Sequence, residues 1–397
     1  MTADTPIRTA SRSATTEEVL ERVNGMVPVL RSRARSTEEL RHMHPDNERE
    51  LDDAGVFALT LPRDRGGYEA DPRTVMEVLA QIARGCPSTS WTTNIITAVN
   101  YWATVLPDDG SDEVLATPHL RITGLIAPTG TAVPVDGGYR VTGTWHWNTG
   151  GLHANWVGLA CLTQTPTGPT PIVGLVPISE VKVHDTWFAS GMAGTATNMV
   201  TAEDVFVPDR RMISVVNIAE GVYPQRRYSA NPYFNRPSVM FFLAIAAATP
   251  VGIARGAMDV FMEKLPDRGI TYTEYTRASE AAITHHQVAA AQFELEIAEM
   301  FMSKLVDLLD ATLGVEVSKM DRIRTRAWLG RATLHARNCV NTLFLASGAS
   351  HIQHSADIQR YFRDVNSLSL HAAIQPTSSD ELYGRALVGL EPNTTIL

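Results

Sequence analysis

No uninterrupted apolar run approaches the roughly 18 residues of a membrane-spanning helix. The most apolar stretch of the 397-residue chain, Val239 to Ala248, is short and reads as a buried helix. Cysteine is scarce: Cys86, Cys161 and Cys339 are scattered, with no CxxC pair and no Cys/His spacing, which excludes a disulfide framework or a zinc site. Three small buried hydrophobes in a reducing cytoplasm suit that usage. The formal net charge is -9 and no Lys/Arg block stands out, so nucleic acid is excluded as a partner. The N-terminal stretch lacks an apolar core after its first charges and reads as a flexible tail over residues 1–15, not as a secretory signal. There is no GxGxxG after a strand and no Walker sequence, so no built-in nicotinamide or nucleoside-triphosphate site is supported. The histidine groups His42/His44, His285/His286 and His351/His354 lack a carboxylate or third ligand in register, and no metal is expected.

What is present falls into three zones. From Thr16 to about Leu106, apolar residues recur at three- and four-residue spacing, as in Thr74 to Ala83, and predict helices. Thr15-Thr16-Glu17-Glu18 and Ser36-Thr37-Glu38-Glu39 carry capping-type start signals. From about His119 to Ile213, short β-branched and aromatic runs alternate with turns, and Asp136-Gly137-Gly138 marks a hairpin. This zone predicts an antiparallel β unit. From about Val239 to Leu387 the pattern is helical again, with long amphipathic runs over Ile283–Val306 and Asp321–Leu345 that predict a bundle with apolar faces left for self-association. The expected division is a helical domain over 16–118, a middle β domain over 119–215, a C-terminal helical bundle over 216–385 and a tail over 386–397. The fold class is mainly α with a central β domain.

Five motifs in order carry a resemblance that spans about residues 20 to 390. They are Gly143-Thr144-Trp145-His146-Trp147-Asn148-Thr149-Gly150, then Gly194-Thr195 with Val205-Phe206-Val207-Pro208, then Tyr275-Thr276-Arg277 before His286-Gln287-Val288-Ala289, then Ser347-Gly348-Ala349-Ser350, and finally Arg360-Tyr361-Phe362-Arg363-Asp364. Together they resemble the acyl-CoA dehydrogenase superfamily, which implies an N-terminal helical domain, a middle antiparallel β domain and a C-terminal four-helix bundle. In that superfamily the dehydrogenase glutamate usually stands nine residues beyond the arginine of the Arg-Asp pair. Here that position is Ala372, which cannot remove a proton next to a thioester, and His371 stands beside it.

The Arg-Asp pair followed after six residues by histidine is similar to the two-component flavin monooxygenases of the 4-hydroxyphenylacetate hydroxylase type. That resemblance implies an oxygenase component using FMN or FAD, reduced by a separate flavin reductase and transferred by diffusion, with O2 as co-substrate. It implies hydroxylation of a small aromatic or polycyclic substrate through a flavin C4a-hydroperoxide, a homotetramer, a cytoplasmic location and a place in secondary metabolism. It assigns Thr149 to the flavin N5 and His371 to the substrate, as phenol base or as peroxide stabiliser. Trp147, Asn148, Thr149, Arg277, Gly348 and Ser350 are the implied flavin contacts, with Arg277 meeting a phosphate, on a neighbouring subunit or its own. The tail Gly384–Leu397 is expected across an active site, on a neighbour or frayed.

The residues themselves leave alternatives open. Trp145, Trp147 and Thr149 also read as an ordinary aromatic strand and turn, His371 as a hydrogen-bonded structural histidine, and Arg277 as a surface cation. Trp91, Asn100, Trp102, Phe234 and Phe241 are candidates for an aromatic-accepting cavity and equally for core. At the level of activity, three readings remain beside the hydroxylase: an FAD desaturase with a relocated base, an N-oxygenase of an amine or amino sugar, and a non-redox ligand-binding relative.

Overall fold

The structure, a computed structural model, describes residues 15–394 and 397. Of the tail expected over 1–15, residues 1–14 lie outside the described residues. Thr15 caps helix α1 (Thr16–Leu40): its hydroxyl accepts from the Glu18 amide while the Glu18 carboxylate accepts from the Thr15 amide at 3.0 Å. The second start signal, Ser36-Thr37-Glu38-Glu39, begins nothing and lies inside α1. Ser36 bonds back to the Arg33 carbonyl, and Thr37 is buried against Gly194, so tertiary packing carries the helix through it. Helices α2 (Pro45–Ala54), α3 (Pro72–Gly85), α4 (Pro87–Asn100) and α5 (Asp108–Leu115) follow.

Seven strands come next: β1 (Ile122–Val135), β2 (Gly138–Asn148), β3 (Trp156–Thr165), β4 (Gly168–Pro177), β5 (Lys182–His184), β6 (Asn198–Pro208) and β7 (Met212–Ser214). They form one sheet in the order β5-β6-β2-β1-β3-β4-β7. The hairpin expected at Asp136-Gly137-Gly138 joins β1 to β2, with Val135 opposite Gly138 and Gly137 at φ +74. The expectation of a wholly antiparallel sheet is corrected at its centre, because β1 and β3 run parallel, Ile122 opposite Trp156. The chain leaves β2 through residues 149–155 and re-enters the sheet on the far side of β1, so β3 points the way β1 does. That crossover carries Thr149. Trp145, Val141, Val157, Leu159, Cys161 and Val200 form the sheet's own core, apart from the larger helical one.

The chain then makes α6 (Val215–Glu220), α7 (Ser238–Ala246), α8 (Ala248–Lys264), α9 (Ala282–Ala311), α10 (Lys319–Ser347), α11 (Asp357–Leu368) and α12 (Pro376–Leu387). Helices α8 to α11 pack together as a four-helix bundle. The run Ser238–Asp267 is long and apolar enough to cross a membrane by composition, but 89% of its most apolar window is buried in the protein, as a core helix is. The tail folds back on the bundle: Arg385 Nε donates to the Glu391 carbonyl, Lys319 pairs with Glu391, and Asn393 donates to Glu381.

The Arg-Tyr-Phe-Arg-Asp motif clamps sheet to bundle. Asp364 Oδ1 accepts from the Met192 amide at 2.5 Å, and Arg363 donates to the Ser190 carbonyl at 2.7 Å and pairs with Glu38. Gly191 is required there, since a Cβ would collide with the Arg363 carbonyl. Burial pushes the Asp364 carboxyl up to about 6, against the opposing pull of the Met192 amide and Arg360.

Candidate functional site

Strand β2 ends in a register shift between Trp145 and Asn148, and that bulge sorts three neighbouring side chains to different fates. Trp145 is buried in the sheet with its indole N–H on the Ala160 carbonyl at 2.7 Å, so it offers no free ring face. Trp147, at φ +62, is turned outward and is 69% exposed. A left-handed backbone on a bulky residue costs on the order of 1–2 kcal/mol. Asn148 is wholly buried, and neither its amide nitrogen nor its carbonyl oxygen has a partner. Backbone strain beside an unsatisfied buried amide marks a place shaped for something other than stability.

Thr149 follows, nearly buried. Its carbonyl accepts from the Thr123 hydroxyl, and its Oγ1 lies 2.9 Å from Thr197 Oγ1, which lies 2.7 Å from Thr195 Oγ1. Gly150 donates to the Thr195 carbonyl at 3.1 Å, and a Cβ at Gly150 would stand 3.2 Å from the methyl of Thr92 on α4. The far end of the crossover is tied by His153. Its amide donates to Gly150, its Nε2 accepts from the Met43 amide at 3.1 Å, and its Nδ1 donates to Glu48 at 2.6 Å. Burial works to raise the Glu48 pKa, but the His153 bond and the Arg121 guanidinium hold it below the usual carboxylate range.

His371 stands just beyond α11. Its Nδ1 accepts from the Ala373 amide at 3.2 Å, which leaves the proton of the neutral ring on Nε2. Arg326 on α10 holds the loop by donating to the Ala372 carbonyl at 3.1 Å. The imidazole meets the Trp91 ring edge-on, centroids 5.3 Å apart. Burial, with Arg326 second, pushes its pKa down to about 4. The residue is nonetheless exposed to solvent. That exposure moderates the drop and leaves its direction.

Trp91, which meets His371, and Thr92, which packs near Gly150, are consecutive on α4, so the crossover that begins at Thr149 and the His371 loop both border this helix. Of the cavity candidates, Trp91 alone sits here. Asn100 spends its amide on the Phe57 and Leu120 carbonyls and the Ile122 amide, Trp102 donates to Ser238, and Phe234 and Phe241 pack on Tyr101; all four are core. A cavity of about 330 Å³ opens between Ile126, Pro128, Pro171 and Val215 on one side and Lys319 and Arg322 on the other, with Leu397 in its lining. Its lining comes from β1, β4, α6 and α10 with Leu397, and includes neither Thr149 nor His371.

Arg277, Gly348 and Ser350 gather elsewhere, at one end of α10. The Arg268 guanidinium donates to the Ala346 and Ser347 carbonyls at 2.9 and 3.0 Å and the Arg268 carbonyl accepts from the Ala278 amide, which brings their segments together. Arg277 is exposed with Glu280 at 3.5 Å, Gly348 (φ +79) closes α10, and Ser350 lies 3.2 Å from His351 Nδ1. Among the described residues no hydrogen bond or ring contact joins this group to Thr149 or His371. Sequence reasoning did not single out Thr92, Thr123 or Thr197, since a lone threonine carries no signal until its partners are known.

A family model described as "Acyl-CoA dehydrogenase, C-terminal domain" matches residues 244–376. The chain is 31% identical over 382 residues to the flavin-dependent monooxygenase oxygenase subunit HsaA of Rhodococcus jostii, covering 95% of this chain and 100% of the relative. It is 28% identical to the oxygenase component of the FADH(2)-dependent resorcinol hydroxylase of a Rhizobium species, over 94% of each. Among solved structures it superposes on XiaF from a Streptomyces species in complex with FADH2 and glycerol, with a TM-score of 0.89, 30% identity and coverage of 96% and 98%.

Proposed function

The chain belongs to the flavin-dependent monooxygenase oxygenase subunits of the acyl-CoA dehydrogenase fold, and we propose from that premise that it hydroxylates a small aromatic or polycyclic substrate with reduced flavin and O2. The observation that carries this reading is that α4 borders both loops, Trp91 against the His371 ring and Thr92 near Gly150, the residue after Thr149, beside the unpartnered Asn148 amide. These residues fit a flavin. Trp147 presents an uncovered aromatic face, Asn148 has both a donor and an acceptor to spend, and Thr149 supplies one hydroxyl in a nearly dry setting. Bound reduced flavin, FMN or FAD, supplies the activation of O2.

The chain's own part is to hold, orient and exclude water. Trp147, Asn148 and Thr149 seat the ring system, and α4 with Trp91 closes the space behind it. His371 acts as a donor: with Nδ1 on the Ala373 amide and the ring kept neutral, Nε2–H is the group free to meet a substrate oxygen. The base role requires that tautomer to be undone, so the geometry favours the hydrogen-bonding role.

Arg277, Gly348 and Ser350 are assigned to the flavin phosphate of an adjacent protomer. Exposed apolar side chains on the bundle (Ile283, Phe293, Met300, Leu345 and Ile352) call for cover by further copies, and a tetramer is proposed. Light scattering then gives a mass near four times the 43.4 kDa chain, and a monomer at working concentration would sink the assignment. Reduced flavin comes from a separate reductase, and the three buried free cysteines suit the cytoplasm.

The test mixes the protein and anaerobically reduced flavin with oxygenated buffer, with and without a panel of phenols. Support is a delay in the appearance of oxidised flavin relative to free flavin, plus a hydroxylated product with at least one phenol. Immediate oxidation with stoichiometric hydrogen peroxide for every phenol overturns the reading. Bleaching of oxidised FAD by an acyl-CoA establishes a desaturase instead.

A further inference from the structure

We infer that Thr197 and Thr195 form a one-way hydroxyl chain that leaves Thr149 Oγ1 as a hydrogen-bond acceptor only, so that the site selects a ligand N–H, the N5–H of reduced flavin, over the bare N5 of oxidised flavin. The inference rests on the placement of Thr149 by the flavin proposed above. It follows from counting protons. A carbonyl only accepts, so the bond of 2.8 Å between Thr195 Oγ1 and the Met192 carbonyl uses the single Thr195 hydroxyl proton. The bond of 2.7 Å between Thr195 and Thr197 is therefore donated by Thr197. Thr197 then has no proton left, and the 2.9 Å bond between Thr197 and Thr149 is donated by Thr149. What Thr149 has left is lone pairs.

The origin of the chain is held firmly. The Met192 amide donates to buried Asp364, its carbonyl also receives the Trp187 indole N–H at 3.0 Å, and Thr195 is wholly buried. The Arg363-Asp364 motif thereby reaches Thr149 through four links: Asp364, Met192, Thr195, Thr197. Reversing the chain frees the Thr149 proton for a bare nitrogen but gives up the bond to the Met192 carbonyl. One such bond corresponds to a preference of about five- to tenfold. Thr197 and Thr195 are positioning residues, acting on the ligand only through Thr149. The consequence suits an enzyme that takes up reduced flavin from solution and must let oxidised flavin go.

The experiment measures dissociation constants of oxidised and dithionite-reduced FMN and FAD for the full-length protein under anaerobic conditions, and compares the oxidised-to-reduced ratio across variants. Thr197→Val frees the Thr149 proton to turn toward oxidised N5, and the ratio falls about five- to tenfold. Thr197→Ser keeps the hydroxyl and restores the wild-type ratio, which a purely structural role for Thr197 would not require. Thr149→Val lowers the ratio as well, and adding Thr197→Val to it changes nothing further. If Thr149→Val moves the ratio and Thr197→Val does not, the one-way chain is wrong and the placement of Thr149 stands. If Thr149→Val leaves the ratio unchanged, the placement itself is wrong. Should Thr197→Val fail to fold, Thr195→Val breaks the chain one link further back and carries the same expectation.

Discussion

The two halves of the proposed flavin site differ in how much of their geometry one chain determines. Around Thr149 and His371 the hydroxyl, the carbonyl and one imidazole nitrogen are tied to neighbours, through Thr123, Thr197 and Thr195 on one side and Ala373 on the other, with Arg326 holding the His371 loop. Around Arg277, Gly348 and Ser350 the side chains stand in solvent with local partners only. The enclosed half is built to decide what the ligand does once bound. The exposed half is a set of donors waiting for a phosphate or a second protomer, and contributes affinity instead. In a dry, preorganised setting a hydrogen bond steers chemistry; in solvent it mainly adds binding free energy.

Substitutions can break that division. His371→Ala lowers hydroxylated product per reduced flavin by about ten- to a hundredfold, the range of a positioned donor, and leaves flavin affinity within about twofold. The measurement is product against hydrogen peroxide at saturating flavin, and a loss of affinity with intact coupling would put His371 in the other half. Arg277→Ala does the reverse. Flavin binding weakens by about tenfold, the worth of a charge-assisted bond, with coupling unchanged and the affinity loss shrinking as salt rises.

Asn148→Leu tests whether the unsatisfied amide is reserved for the ligand. Removing a buried polar group without partners stabilises the flavin-free protein by about 1–2 kcal/mol, raising its Tm, while flavin affinity drops. A Tm that falls instead would show that the amide serves the fold.

The smallest effect concerns pH. The Asp364 carboxyl titrates at about 6 in the fold, above an ordinary aspartate. Its contribution to stability is therefore fully present below about pH 4 and is lost as pH rises through about 6. Asp364→Asn keeps the oxygen that accepts from Met192 and removes that loss, so the difference in Tm between pH 5 and pH 8 narrows by a few degrees. An unchanged difference would falsify the assignment. His371, whose pKa burial pushes down, adds no step to the pH profile of coupling near 6.5.

Much of the fold was legible because its signals are local. Periodicity marked the long helices, the Thr15–Glu18 capping box marked where α1 starts, and Asp136-Gly137-Gly138 marked the hairpin. Ser36 misled because the same local chemistry also sits inside a helix that Gly194 packs against. Helix α4 was harder still. Its sequence, PSTSWTTNIITAVN, looks half polar, yet all fourteen residues are buried. Its polar side chains find distant partners, Ser90 on the Leu79 carbonyl and Asn94 on the Ile245 carbonyl. Thr149 and His371 were singled out through the motifs around them. Thr92, Thr123 and Thr197 acquired meaning only beside their neighbours.

The chain order of helices, strands and helices, the replacement of the dehydrogenase glutamate by Ala372 and the histidine beside it are properties of the sequence itself, since each depends on neighbours a few residues away. The parallel pairing of β1 with β3, the approach of the Gly150 crossover and the His371 loop to neighbouring residues of α4, the tautomer of His371 and the direction of the threonine chain were decided by the tertiary structure. Each depends on which donor meets which acceptor across long stretches of chain, and a hydroxyl or an imidazole has no fixed role until those partners are in place.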